Sequence, residues 1–207
     1  MPEALKARGG AAPALRNEDR PAEGYSYRDY LSWGEDVRCE LIDGIPHMMA
    51  GPSMWHQRVA GEIYRQLGNW LEGKACMALI APFDVRLFPE DDDSDKVVVQ
   101  PDVFVVCDRE KLSDGKACKG APDFAVEVAS AGSAKKDFVT KRILYEKAGV
   151  REYWVVDDEE VYTYALSPDG RYLETAHALA EDTEIGVAAL PGCRIGFRNI
   201  IRQALGA

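Results

Sequence analysis

Apolar residues at positions 55, 59, 63, 67, 70 and 71 recur at helical spacing through SMWHQRVAGEIYRQLGNWLE, and Ser53 stands where an N-cap belongs. This pattern predicts a helix over Ser53–Glu72. A shorter helix is expected in SYRDYLSWGED, capped by Ser26, and another from about Ala134 to Ala148, ended by Gly149. FRNIIRQAL predicts a closing helix. CELIDGIPHMM alternates around Asp43-Gly44, a pair suited to a tight hairpin turn, which predicts two short strands. ACMALIAPFDVRLF, VVVQPDVFVVC, PDFAVEVAS, REYWVVDD, EEVYTYAL and YLETAHAL read as further strands. A helix between the Val-Glu-Val and Tyr-Trp-Val-Val runs implies one parallel crossover, so the fold class expected is α/β with a mixed sheet flanked by helices.

Residues 1–24 are rich in Ala, Gly, Pro and charge without periodicity and predict a mobile tail, leaving residues 25–207 as one globular domain. No stretch approaches the roughly 20 apolar residues of a membrane span, and the N-terminus has no signal-like apolar core, so a soluble cytoplasmic protein without membrane partners is expected. The five cysteines form an odd set without a CxxC pair, which argues against a disulfide framework and a zinc site. A net charge of −10 excludes a protein that coats nucleic acid through a basic surface. Local charge is uneven. Glu90–Asp95 (EDDDSD) reads as a solvated acidic loop, whereas Gly132–Arg151 concentrates Lys135, Lys136, Lys141, Arg142, Lys147 and Arg151.

The chemistry begins at Glu127, in the middle of the apolar run FAVEVA. An ionised carboxylate buried in a strand needs a cation, a metal or a proton. Two Pro-Asp pairs offer a partner. Asp123 shares the strand with Glu127 but lies four residues away, roughly 13 Å at strand rise, whereas ligands of one hard cation lie within about 2.0–2.6 Å of it. Asp102, in a different apolar run, can meet Glu127 across neighbouring strands. Two such carboxylates repel unless a proton or divalent cation is shared, and magnesium or manganese suits their oxygen atoms. Helical arithmetic at about 100° per residue places Asp137, Lys141 and Tyr145 on the core-facing stripe of the 134–148 helix, with Lys135, Lys136, Arg142 and Lys147 pointing elsewhere.

QPDVFVVC, PDFAVEVAS and the DxxxKxxxY spacing before AGVREYWVVD, preceded by CELIDGIPHMMAGPSMWHQRV, resemble the Uma-two-type restriction endonucleases, a bacterial branch of the PD-(D/E)XK nuclease superfamily. The resemblance covers about Tyr25 to Val187 and implies a restriction-endonuclease-like fold. It aligns Asp102 and Glu127 with the metal-holding acids, Lys141 with the catalytic lysine, and Glu40 with an acid of the family's ELIDG segment, implying a further catalytic ligand of metal or water. The superfamily usually carries its lysine two residues after the second acid. Ala129 stands there, so the resemblance moves the lysine to the following helix. The function implied is magnesium- or manganese-dependent hydrolysis of DNA phosphodiester bonds, and cutting both strands with one site per chain implies a homodimer.

Other residues remain open between functional and structural roles. His56 matches a position where the family carries histidine and is a candidate for substrate or outer contacts, although a lone histidine at a helix start is commonly a surface or capping group. Asp137 is suited to holding Lys141 at i, i+4. Gln100, just before the Pro101-Asp102 pair, is a further candidate for substrate or supporting contacts. A salt bridge between Glu127 and Lys141 satisfies burial without metal. With it comes the alternative function, a catalytically inactive binding or accessory protein on the same fold.

Overall fold

The computed structural model describes residues 21–34 and 37–204. Most of the expected tail lies outside that range. Within it, 21–24 form a turn whose last residue packs on the first hairpin. A Cβ on Gly24, which has φ +76°, would sit 3.0 Å from the Gly44 backbone, and Tyr25 N donates to Gly44 O at 2.9 Å.

Helix α1 (Tyr27–Ser32) starts in a capping box between Ser26 and Asp29. Strands β1 (Cys39–Ile42) and β2 (Ile45–Met48) form the expected hairpin, with Asp43 and Gly44 both at positive φ. Helix α2 (Met54–Leu71) is N-capped by Ser53, whose side chain accepts from His56 N, and it buries Val59, Ile63, Leu67 and Leu71.

The two runs that followed are each broken in two. ACMALIAPFDVRLF becomes β3 (Met77–Ile80) and β4 (Asp84–Arg86), separated by the cis Ala81-Pro82 bond, and VVVQPDVFVVC becomes β5 (Val98–Val99) and β6 (Val103–Val106), separated by Gln100-Pro101-Asp102. A proline lacks the N–H that a ladder needs, so each run stops pairing at its proline and passes from one sheet to another. The single sheet expected is therefore two main sheets. β2-β1-β5-β4-β7 form a five-stranded sheet and β11-β10-β9-β8-β6-β3 a six-stranded one, where β7 is Ala117–Lys119, β8 Phe124–Val128, β9 Glu152–Val156, β10 Glu160–Leu166 and β11 Tyr172–Ala178. β12 (Glu184–Gly186) and β13 (Arg194–Gly196) make a small pair before α4 (Arg198–Ala204).

The expected crossover is present: β8 and β9 pair in parallel, joined by a helical segment that ends in α3 (Arg142–Ala148) and is closed by left-handed Gly149. Alternation then sorts the core into layers. Val103, Val105, Phe124, Val126 and Trp154 face α2, while Phe104, Val106, Ala125, Tyr153 and Val155 face α3 and the five-stranded sheet. Beyond that sheet, Cys39, Leu41 and Val98 pack under Tyr27 and Trp33 of the α1 region.

Two charge and sulfur expectations change. The acidic loop is not merely solvated. Arg86, 3% exposed, donates from Nε and Nη2 to Asp95, pairs with Asp93 at 2.8 Å and lies over the Tyr27 ring. Cys76 and Cys107 form a disulfide across the edge of the six-stranded sheet, while Cys39, Cys118 and Cys193 are free and buried. Cys76 precedes β3 and Cys107 follows β6, and antiparallel pairing of Met77 with Val106 brings them together, which spacing along the chain does not reveal. Intact-mass measurement of unreduced protein under denaturing conditions should show two fewer hydrogens than after reduction; equal masses would remove the bridge.

Candidate active site

The β6–β8 register pairs Val103 with Val126, and continuing it by one step sets Asp102 opposite Glu127. Asp102 Oδ2 accepts from Val128 N at 2.7 Å and lies 3.0 Å from His56 Nε2, so the N-terminal turn of α2 and the strand both hold it. Glu127 shares a sheet face with Ala125, the face covered by α3. Glu40 arrives from the opposing sheet: Cys39 and Leu41 point toward α1, so alternation sends Glu40 inward.

Lys141 joins these elements. Its Nζ lies 2.7 Å from Glu127 Oε1, 2.6 Å from Glu40 Oε1 and 3.8 Å from Asp137 Oδ1, with only 3% of the residue exposed. Tyr145 OH donates to the same Glu127 oxygen at 2.9 Å, Lys136 Nζ reaches Glu40 Oε2 at 2.8 Å, and Gln100 N donates to Glu40 Oε1 at 3.0 Å. The stripe expected for Asp137, Lys141 and Tyr145 is thus correct. The orientation expected for Lys136 is not. Lys136–Lys141 is a π-helical turn, so its residues do not follow the 100° step. The flexible stem of Lys136 covers the remaining distance.

Burial opposes charge throughout. It pushes the Glu127 carboxyl well above its ordinary value against the pull of Lys141, and Asp102, Asp137 and Glu40 push the same way. Burial also disfavours the Lys141 ammonium, but Glu127, Glu40 and Asp137 outweigh it and raise its pKa well above normal. Glu40 is lowered: burial raises it, and Lys141 with Lys136 overcome that. His56 is raised by its hydrogen bond to Asp102. Four carboxylates therefore face two lysines in a largely water-excluded cleft.

A family model described as "Uma2: Putative restriction endonuclease" matches residues 27–198. The chain belongs to the Uma2 family. Its structure is similar to the crystal structure of "a putative nuclease belonging to DUF820 from Anabaena variabilis ATCC 29413", with a TM-score of 0.65 and 16% identity over 84% of this chain and 96% of that one. At that identity the likeness establishes the restriction-endonuclease-like fold. No curated protein matches.

In this Uma2 chain the structure gathers Glu40, Glu127, Asp137 and Lys141 into one buried network, with Asp102 and His56 beside it on the next strand and helix. Gln100 joins through its backbone N–H, while its side chain turns to Tyr30 and Asp84. Asp123 is apart, as strand rise requires, accepting from Cys107 N and pairing with Arg151. Sequence reasoning missed Lys136, and it placed Tyr145 on the stripe without a role. Among the described residues no three His, Cys, Asp or Glu side chains are grouped so as to hold a metal ion. The donor chemistry of the two-acid set still suits a hard cation. Asp102 Oδ1 and Glu127 Oε2 accept no hydrogen bond from the described residues, and the acids outnumber the lysines. Among the described residues no helix is long and apolar enough to cross a membrane.

Proposed function

We propose that residues 25–207 form one endonuclease-like domain that hydrolyses phosphodiester bonds of DNA with a divalent cation, magnesium or manganese, held by Asp102 and Glu127. The observation that carries this reading is a buried lysine bridging acids from two sheets, next to a third acid in register with one of them, in a chain of this family. When bound, the cation supplies a Lewis acid that activates water and offsets charge on the scissile phosphate.

The chain's own residues do the rest. Lys141 keeps a fixed positive charge at the acid pair, where it can neutralise charge developing on a non-bridging phosphate oxygen. Tyr145 orients Glu127 by occupying Oε1. His56 and Val128 N restrain Asp102 through Oδ2. Glu40 positions Lys141, and Lys136 at the partly exposed rim adds a second cation facing phosphate. Two-strand cleavage would pair two chains about a two-fold axis.

The test is incubation of plasmid, single-stranded DNA and RNA with purified protein and magnesium or manganese. Nicked or linear plasmid is expected only with metal, and no cleavage above a Lys141→Ala control on any substrate would sink the proposal. One observation favours the second reading, an inactive accessory protein. Glu40 and Glu127 are already paired internally, so the network is self-consistent without metal. Titration calorimetry separates the two, because a vestigial site gives the same metal heats for wild type and Glu127→Ala.

A further inference from the structure

A cavity of about 460 Å³ opens next to α1, on the outer side of the five-stranded sheet, lined among others by Tyr30, Arg38, Phe83, Asp84, Gln100 and Lys116. That volume is within the range of small-molecule sites. Its polar side is oddly committed. Gln100 Nε2 donates to Asp84 Oδ1 at 2.8 Å and to the Tyr30 hydroxyl at 3.2 Å, and Tyr30 OH also donates to Asp84 Oδ1, at 3.0 Å. This leaves Gln100 Oε1 buried without a donor in a residue only 8% exposed, while Asp84 takes both of these bonds on Oδ1. A buried acceptor without a donor costs free energy unless a ligand supplies one. Burial also pushes the Asp84 carboxyl up, so N–H donors arriving there would offset an existing deficit.

The remaining walls narrow the ligand. Tyr30 and Phe83 bring aromatic rings to the wall, and the exposed cations Arg38 and Lys116 offer charge to an anion. A planar ring with adjacent N–H donors, attached to a phosphate, meets all three requirements. Guanine fits best, since its N1–H and N2–H can both donate to one carboxylate, whereas thymine presents a single N–H flanked by two carbonyls. Gln100 is also tied to the acid cluster. Its backbone N–H donates to Glu40, and it stands two residues before Asp102, about 7 Å along the chain.

We propose that this cavity is a base-binding subsite that takes an unpaired guanine of a nucleic-acid strand. The inference rests on the nuclease reading for the identity of the strand, but binding can be measured without cleavage.

The experiment uses the full chain in EDTA. Fluorescence anisotropy compares a labelled thymine oligonucleotide carrying one central guanine with the all-thymine strand, with dGMP and inorganic phosphate as competitors. About tenfold tighter binding of the guanine strand is expected. That preference should vanish in Gln100→Leu and Asp84→Asn, and both strands should weaken in Lys116→Ala, an exposed change that leaves folding intact. Equal affinity for the two strands in wild type overturns the proposal whether or not the buried variants fold. So does competition by dGMP as effective as the guanine strand itself, because the occupant would then be a free nucleotide. A guanine preference in a protein that cuts no substrate would leave the subsite standing and remove the nuclease reading; cleavage without the preference would do the reverse.

Discussion

Lys141→Met should lower metal-dependent cleavage by about 10²–10³-fold, the scale of losing one preorganised charge or donor at a transition-state oxyanion. It should also cost about 3–5 kcal/mol of stability, because Glu127 would lose the cation that offsets its burial and Glu40 would keep its charge with Lys136 alone. The two effects are separable. Plasmid nicking is assayed at a temperature where circular dichroism shows the variant folded, and denaturant unfolding gives the stability change. Lys141→Arg is expected to rescue neither fully, since a planar fork cannot replace a compact ammonium that approaches two acids from a fully packed helix face. Activity retained by folded Lys141→Met would remove lysine from the reaction.

Glu40→Leu should be the most destabilising change on the five-stranded sheet. Glu40 is fully buried and accepts from Lys136, Lys141 and Gln100 N. Its loss leaves Lys141 with Glu127 as its remaining close partner and the Gln100 N–H without one. About 3–5 kcal/mol is expected, a melting point roughly 6–20 °C lower for a chain of this size. The dependence on pH has a definite sign. Since the folded-state pKa of Glu40 lies below its ordinary 4.5, its contribution is present above that value and is lost as pH falls through the folded value. The stability gap between wild type and Glu40→Leu should therefore narrow in acid, and a gap unchanged between pH 7 and pH 3 would contradict the ion-pair account.

The parts of this fold that were legible in the sequence are those set by local periodicity. α2 with its Ser53 cap, the Asp43-Gly44 hairpin and the β8–helix–β9 crossover follow from spacing and turn chemistry alone. Glu127 was conspicuous because a carboxylate interrupts an apolar strand, and Asp102 because strand geometry excluded Asp123. What was hidden is non-local or depends on helix geometry. Pro82 and Pro101 look like tolerable interruptions in apolar runs, yet each redirects the chain to another sheet. The Arg86 grip on Asp93 and Asp95 joins a strand to a loop that reads as plain solvated acid. Cys76 and Cys107 meet only through strand pairing. Lys136 was misplaced because a π-helical turn has no signature in residue spacing.

That turn has an evolutionary corollary. A π-helical turn holds one residue more than the α-helical turn it replaces, so it can absorb a change of length rather than of side chain. In a strand the residue at position 129 could reach the acids only by being lysine itself, and it is alanine. On the helix, the π-helical turn sets Lys136 and Lys141 five residues apart, and both reach the acids. A single deletion at an exposed position such as Val139 would let the turn relax to an α-helical one, setting Lys136 and Lys141 four residues apart on nearly the same face without touching the sheets. A residue can thus be lost from the wall of the cleft while both lysines stay within reach of the acids and every core residue keeps its place.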